Sequence, residues 1–213
     1  MQRWRITYSK LAAIQYTSNL DMHRIWERAL RRAGVPVAYS QGFHPQPHIQ
    51  QACPLPLGFT SQAELLDIWL ESETTSEDLL CAIVPSLPAG IQIHSIEGID
   101  PGAPAMQTQI AASLFVIEFL DPITYEEVTN LLEGLFQQDE ISRIRRGKQY
   151  DLRPLIFKGE VVQDASVQLK LWLSTREGQT GRPDEVLLAM GLDPYATRIH
   201  RLALLTEADV AKL

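Results

Sequence analysis

The chain has 213 residues, 19 Lys and Arg against 26 Asp and Glu for a net charge of −7, 45% hydrophobic and 21% charged residues. That is the make-up of an ordinary globular protein able to fill one large core or two smaller ones. No apolar run approaches the roughly 20 residues needed to span a bilayer, and MQRWRITYSK at the start lacks the apolar stretch of a secretory signal.

In chain order, RWRITYSK alternates Trp4, Ile6 and Tyr8 with Arg3, Arg5 and Thr7, the pattern of a half-buried strand. Ser18 opens a helix, with Asp21 three residues on. Met22, Ile25, Trp26, Ala29, Leu30 and Ala33 form its apolar stripe, and Gly34 and Pro36 end it. A second strand is expected from His48 to Pro56. AELLDIWLE makes a third, with Leu66, Ile68 and Leu70 on one face and Leu65, Asp67, Trp69 and Glu71 on the other. SEDLLCAIVPSL gives a helix from Ser76 interrupted at Pro85, and GIQIHSIEGI a fourth strand.

DPGAPAMQTQ then reads as a linker, and the order of elements repeats. IAASLFVIEFL is a strand, and TYEEVTNLLEGLFQQ a helix capped at Thr124. One strand is expected within ISRIRRGKQYDLRPLI, another in SVQLKLWLS, a helix with Pro183 at its first position in RPDEVLLAMG, and a last strand in TRIHRLALL. The expected class is therefore α+β, with two tandem ferredoxin-like (βαββαβ) halves at 1–102 and 108–213. In the first half, Arg3 and Arg5 would share the face away from the helices with Asp67, and cross-strand ion pairs are the simplest outcome.

Charge is segregated along the chain. Residues 1–62 carry seven Lys and Arg against two Asp and Glu, residues 63–140 carry fifteen Asp and Glu with no Lys or Arg, and residues 141–213 carry twelve against nine. Such a pattern either builds opposed surfaces, a basic one suited to a polyanion, or is neutralised by internal pairing as the chain folds across itself.

Two basic strips follow. The first helix carries Arg24, Arg28, Arg31 and Arg32, a row suited to phosphates, although Glu27 is spaced to pair with Arg31. RIRRGKQYDLR adds Arg145, Arg146, Lys148 and Arg153, next to Arg143 and Tyr150. EGQTGRPDEV sets two glycines and Arg182 before a helix, but Asp184 and Glu185 already occupy its first turn, which favours capping over anion binding. His44 and His48, in YSQGFHPQPH, are the weak catalytic candidates. Pro45 and Pro47 exclude a helix there, and an extended chain would hold the two rings about 12–13 Å apart, too far to share a metal. No metal or cofactor is expected. A single histidine acting as general acid or base would contribute roughly 10²–10⁴ in rate. The two cysteines, Cys53 and Cys81, form no C-x-x-C and read as buried thiols in a reducing compartment, so the cytoplasm is expected.

YSKLAAIQYTSNLDMHRIWERALRRAGVPVAYSQGFHPQPHI, then PLPLGFTSQAELLDI, YDLRPLI and GRPDEVLLAMGLDP with RIHR, occur in an order that resembles the radical-SAM-linked protein family, a domain of unknown function fused to or encoded beside radical SAM enzymes. Two departures stand out: Asn19 replaces the histidine of the family's S-H-L-D, and GFHPQPH replaces GFNPHPK. The resemblance implies an accessory protein with a radical SAM enzyme as partner. Two isolated cysteines cannot supply that enzyme's three-cysteine cluster cradle. The tandem arrangement also resembles CRISPR repeat-processing endonucleases at the level of fold. The expected function is binding of structured RNA for presentation to the partner. The alternatives are a metal-independent endoribonuclease using a histidine of the 44–48 loop, and a non-catalytic protein–protein adaptor.

Overall fold

Two-residue alternation writes the first strand and sets everything packed on it. The computed structural model describes residues 1–145 and 147–213, and the chain divides into two units, Met1–Met106 and Gln107–Leu213.

The first unit runs β1 (Gln2–Lys10), α1 (Asn19–Arg32), β2 (Ile49–Gln51), β3 (Thr60–Leu70), α2 (Ser76–Ile83) and β4 (Ile91–Ile99). β1 lies between β3 and β4, β2 adds to β3, and every pairing is antiparallel, giving the order β2-β3-β1-β4. Ser18 caps α1 by accepting from the Asp21 backbone N–H. The 3.6-residue period then buries Met22, Trp26, Ala29 and Leu30. These pack on Ile6, Tyr8, Leu66 and Ile68 of the sheet and on Leu79 and Ile83 of α2. Trp26 meets the Tyr8 ring edge-on at 4.9 Å.

Three expectations for this unit need correction. β2 covers only Ile49–Gln51 rather than His48–Pro56. Cys53 adopts a left-handed conformation (φ 45°), and Pro54 and Pro56 have no N–H to give a ladder. The cysteines are not buried: Cys53 is half-buried and Cys81 exposed. The segment after β4 is no loose linker, because the carbonyls of Ala103 and Pro104 accept from the Arg3 guanidinium at 2.6 and 3.2 Å.

A single helical turn, α3 (Met106–Gln109), leads to β5 (Ala112–Phe119), α4 (Tyr125–Phe136), β6 (Ser142–Arg145), β7 (Lys148–Asp151), β8 (Ile156–Gln163), β9 (Val167–Arg176), β10 (Gln179–Thr180), α5 (Pro183–Ala189), β11 (Thr197–Leu205) and α6 (Glu207–Val210). In the second unit β5 pairs with β9 and β11, and β8 and the short β10 pair with β9, again antiparallel. The fold is thus mixed α+β with antiparallel sheets.

Where one strand is expected in 141–156, the chain instead forms the separate hairpin β6–β7. The sheet position goes to β8, which its sequence hides: Lys158, Gly159 and Glu160 interrupt the apolar alternation. Gly159 is there for space, since a Cβ would stand 2.7 Å from Leu132 Cδ1 on α4.

α4 begins with a complete capping box. Glu127 N–H donates to Thr124 Oγ1 at 3.2 Å, and Thr124 N–H donates to Glu127 Oε2 at 2.8 Å. The bonds from the Thr124 backbone and hydroxyl hold the Glu127 carboxyl below its ordinary range. A group lowered on folding adds stability above its unfolded value of 4.5, and that stability is lost as pH falls through the folded value. Thr124→Ala is expected to cost about 0.5–2 kcal/mol at neutral pH. Urea melts of wild type and variant should converge as the pH drops below the ordinary glutamate range, whereas a constant gap down to pH 3 would separate the cap from Glu127 ionisation.

Candidate functional site

On the face of the first sheet away from the helices, Arg3 and Arg5 converge on one carboxylate. Arg3 Nε donates to Asp67 Oδ2 at 2.9 Å and Arg5 Nε to Asp67 Oδ1 at 2.8 Å. Asp67 is wholly buried and Arg3 nearly so. The register, Arg3 opposite Trp69 and Arg5 opposite Asp67, makes the pairing. These arginines are therefore committed to the fold. The excess charge of residues 1–62 is neutralised on β1 by the acidic segment, but this does not extend to α1.

On α1, Arg24 lies 3.4 Å from Asp21, and Arg32 donates to the Ser86 carbonyl at 3.0 Å. The Glu27–Arg31 pair that the spacing allows does not form; Glu27 instead faces His23 at 3.5 Å. Arg28 and Arg31 are exposed and have no acidic partner within 4 Å among the described residues. Helical spacing allows Glu27 either neighbour, and here it takes His23, one turn before it, and not Arg31, one turn after.

The YSQGFHPQPH stretch closes on itself beside that helix end. Tyr39 bridges Pro47, the Ser40 N–H donates to the Gln46 carbonyl at 2.9 Å, and the Gln46 N–H donates to Ser40 Oγ at 3.0 Å. The tip is thrown outward. Phe43 is fully exposed and Tyr39 half exposed; Gly42 takes φ 141°, a conformation that suits glycine. The two histidines part company. His44 rides on the exposed tip, while His48 stacks face to face on Trp69, with ring centroids 3.9 Å apart and planes 3° from parallel. Trp69 in turn has the Arg3 guanidinium 5.0 Å from its centroid. His48 is exposed but held by that stack, and among the described residues no side chain orients His44 as a base.

Arg31 and Glu27 of α1, the apolar Val35 and Pro36, and Tyr39 with Pro47 of the loop line one open groove of about 230 Å³. Of the first basic strip, Arg31 therefore shares a surface with the loop. That the loop lies beside the helix arginines is legible in the sequence; that it meets Arg31 and Glu27 in particular is set by the connection 33–38.

The second strip belongs to the other unit and is engaged in part. Arg143 Nε donates to Glu185 Oε2 at 2.9 Å. Arg153 lies 4.8 Å over the Phe136 ring. Arg145 is half-buried and Lys148 exposed, while Arg146 lies outside the described residues. Burial, then the Glu185 carboxylate, raises the Tyr150 hydroxyl above its usual range. Arg182 is tied to Asp184, Nε to Oδ1 at 2.9 Å, so the anion cradle considered at 177–186 is filled by the chain's own carboxylate.

Two groupings escaped the sequence because their members lie far apart along it. Ser9 Oγ and His94 Nε2 are 2.6 Å apart. Ser9 is 3% exposed, which leaves no approach for a substrate and marks the pair as a cross-strand tie. Lys10 and Glu64, both buried, line a cavity of about 10 Å³ with Tyr8, Asn19 and Gln51. Lys10 Nζ donates to the carbonyls of Gln15 and Thr17 at 3.1 Å each. The space holds about one water molecule. Asn19, one of the two departures from the resembled pattern, faces it.

Residues 3–183 match the model of a family described as uncharacterized proteins conserved in bacteria, DUF2344. The chain belongs to the DUF2344 family. No curated protein matches it. Among solved structures, a chain of an H/ACA RNP bound to a substrate RNA containing 2′-deoxyuridine is similar at a TM-score of 0.40 and 9% identity, over 84% of this chain and 42% of that one. This DUF2344 chain thus spans less than half the length of that protein. The acetolactate synthase small subunit from Thermotoga maritima is similar at a TM-score of 0.25 and 11% identity, over 96% and 94% of the two chains. No helix among the described residues is long and apolar enough to cross a membrane.

Proposed function

We propose that this DUF2344 protein is a non-catalytic RNA-binding accessory that presents structured RNA to a partner enzyme, the resemblance in sequence naming a radical SAM enzyme as that partner. We read its two βαββαβ units as tandem ferredoxin-like halves, a reading supported by the strand orders β2-β3-β1-β4 and β8-β9-β5-β11. One observation carries the RNA reading. Arg31, without an acidic partner among the described residues, lines a groove that also presents the half-exposed Tyr39, and Arg28, likewise without one, precedes it by one turn on the same helix. Free cations next to an exposed aromatic ring suit a phosphate backbone with unstacked bases. The endoribonuclease alternative draws no support from the loop, since His48 is stacked on Trp69 and His44 has no orienting side chain among the described residues. Fully exposed Phe43 is the feature that would serve an adaptor.

Each phosphate contact contributes close to one unit to the slope of log affinity against log salt. Arg28→Ala with Arg31→Ala is therefore expected to lower the magnitude of that slope by about one to two and to weaken binding of tRNA-sized fragments across all sequences. Filter binding from about 50 to 200 mM salt measures this. Absence of wild-type binding at the lowest salt, with or without the partner, would end the RNA reading. Co-purification of a radical SAM enzyme that survives nuclease treatment would favour the adaptor.

A further inference from the structure

We propose that the groove between the end of α1 and the 39–47 loop is a subsite for one unpaired nucleotide, with the base on Tyr39, its phosphate on Arg31, and a preference for bases bearing an exocyclic amino group. The proposal rests on the RNA reading above and names what that surface takes. Three observations support it.

The first is size. At about 230 Å³ the groove falls below the roughly 300–1,000 Å³ of sites for drug-sized ligands, so it suits one planar ring rather than an element of secondary structure. The second is the wall chemistry. Tyr39, Pro47, Val35 and Pro36 offer a ring face and flat aliphatic surface, on which a base stacks whatever its identity. In an A-form duplex the base faces are covered by their neighbours, so only an unstacked nucleotide can enter. The third is charge. Arg31 is exposed and lacks an acidic partner among the described residues, so it can meet a phosphate at the rim.

Glu27 gives the site its selectivity. Its carboxylate lies on the same wall as Arg31, one helical turn back, facing His23 at 3.5 Å. A carboxylate accepts hydrogen bonds and donates none, so it favours the exocyclic amino groups of cytosine, adenine or guanine over uracil, whose one donor, N3–H, is flanked by two carbonyls that repel it.

Fluorescence anisotropy with labelled oligo(A), oligo(C), oligo(U) and a duplex of equal length, at about 50 mM salt, tests this in the full-length chain. Tyr39 and Arg31 are not core residues, so thermal melts of their variants should match wild type. Expected results are tighter binding of oligo(A) and oligo(C) than of oligo(U) or duplex, about tenfold weaker binding by Tyr39→Ala with retention in Tyr39→Trp, and loss of the base preference in Glu27→Gln. If wild type binds RNA and Tyr39→Ala binds it equally well, the subsite falls while the RNA reading stands. If wild type binds no RNA, both fall. A nuclease-resistant complex with a protein partner, lost in Tyr39→Ala, would overturn the proposal in favour of a peptide groove.

Discussion

Asp67→Ala is expected to destabilise the protein by about 3–5 kcal/mol, the range for removing one partner of a buried ion pair. Asp67 takes both guanidinium groups at 2.6–3.0 Å and is itself without exposure. Once it is gone, Arg5 can turn to water, since its side chain is 19% exposed. Arg3, at 2%, cannot. It would keep only its bonds to the Ala103 and Pro104 carbonyls, leaving a charge in a low-dielectric setting with most of its N–H donors unmet. The joint replacement Arg3→Met, Arg5→Met, Asp67→Leu should recover most of the loss, because apolar residues of similar volume often equal a buried ion cluster. Denaturant midpoints at constant slope measure both. A loss below about 1 kcal/mol for Asp67→Ala would mean that the two arginines find other partners.

Trp26→Ala should cost a similar amount, about 3–5 kcal/mol, through the cavity it leaves. Trp26 is fully buried between α1 and the sheet and touches Tyr8 edge-on. Its indole N–H has no acceptor among the described residues, so the ring is held by packing alone. Trp26→Phe keeps an aromatic against Tyr8 and removes the unmet donor, and should lose less than about 1.5 kcal/mol. Equal losses in the two variants would show that the indole N–H is satisfied after all. Because Trp26 anchors the helix that displays Arg28 and Arg31, the RNA binding proposed above should also be weaker in the alanine variant near its melting temperature, although Trp26 never reaches the surface.

Legibility followed periodicity. Strands with clean alternation, β1 and β3, and helices with a cap and an apolar stripe, α1 and α4, could be read at nearly their final bounds. β8 could not, because Gly159 sits where α4 crowds the sheet and charged neighbours break the pattern. β2 was overdrawn, because Cys53 leaves the extended region at a point where only a turn would predict it. For the candidate site, the residues were visible and their fates were not. Four arginines on one helix look equivalent in sequence, yet a carboxylate three residues away engages Arg24, a distant carbonyl engages Arg32, and Arg28 and Arg31 are left over. The prolines already rule out a pair at His44 and His48, but only the structure shows that His48 stacks on Trp69 while His44 sits on an exposed tip.

By itself, then, the sequence determined the α+β class, the order of the elements and the refusal of His44 and His48 to share a helix, because these depend on local sterics and hydrophobic period. Only tertiary structure decided which charges are spent and which are free, since that depends on cross-strand register and on contacts between residues far apart in sequence, 101 positions in the bond from Arg3 to Pro104. The groove beside Tyr39 is of the same kind: its two walls come from elements whose meeting no local rule encodes.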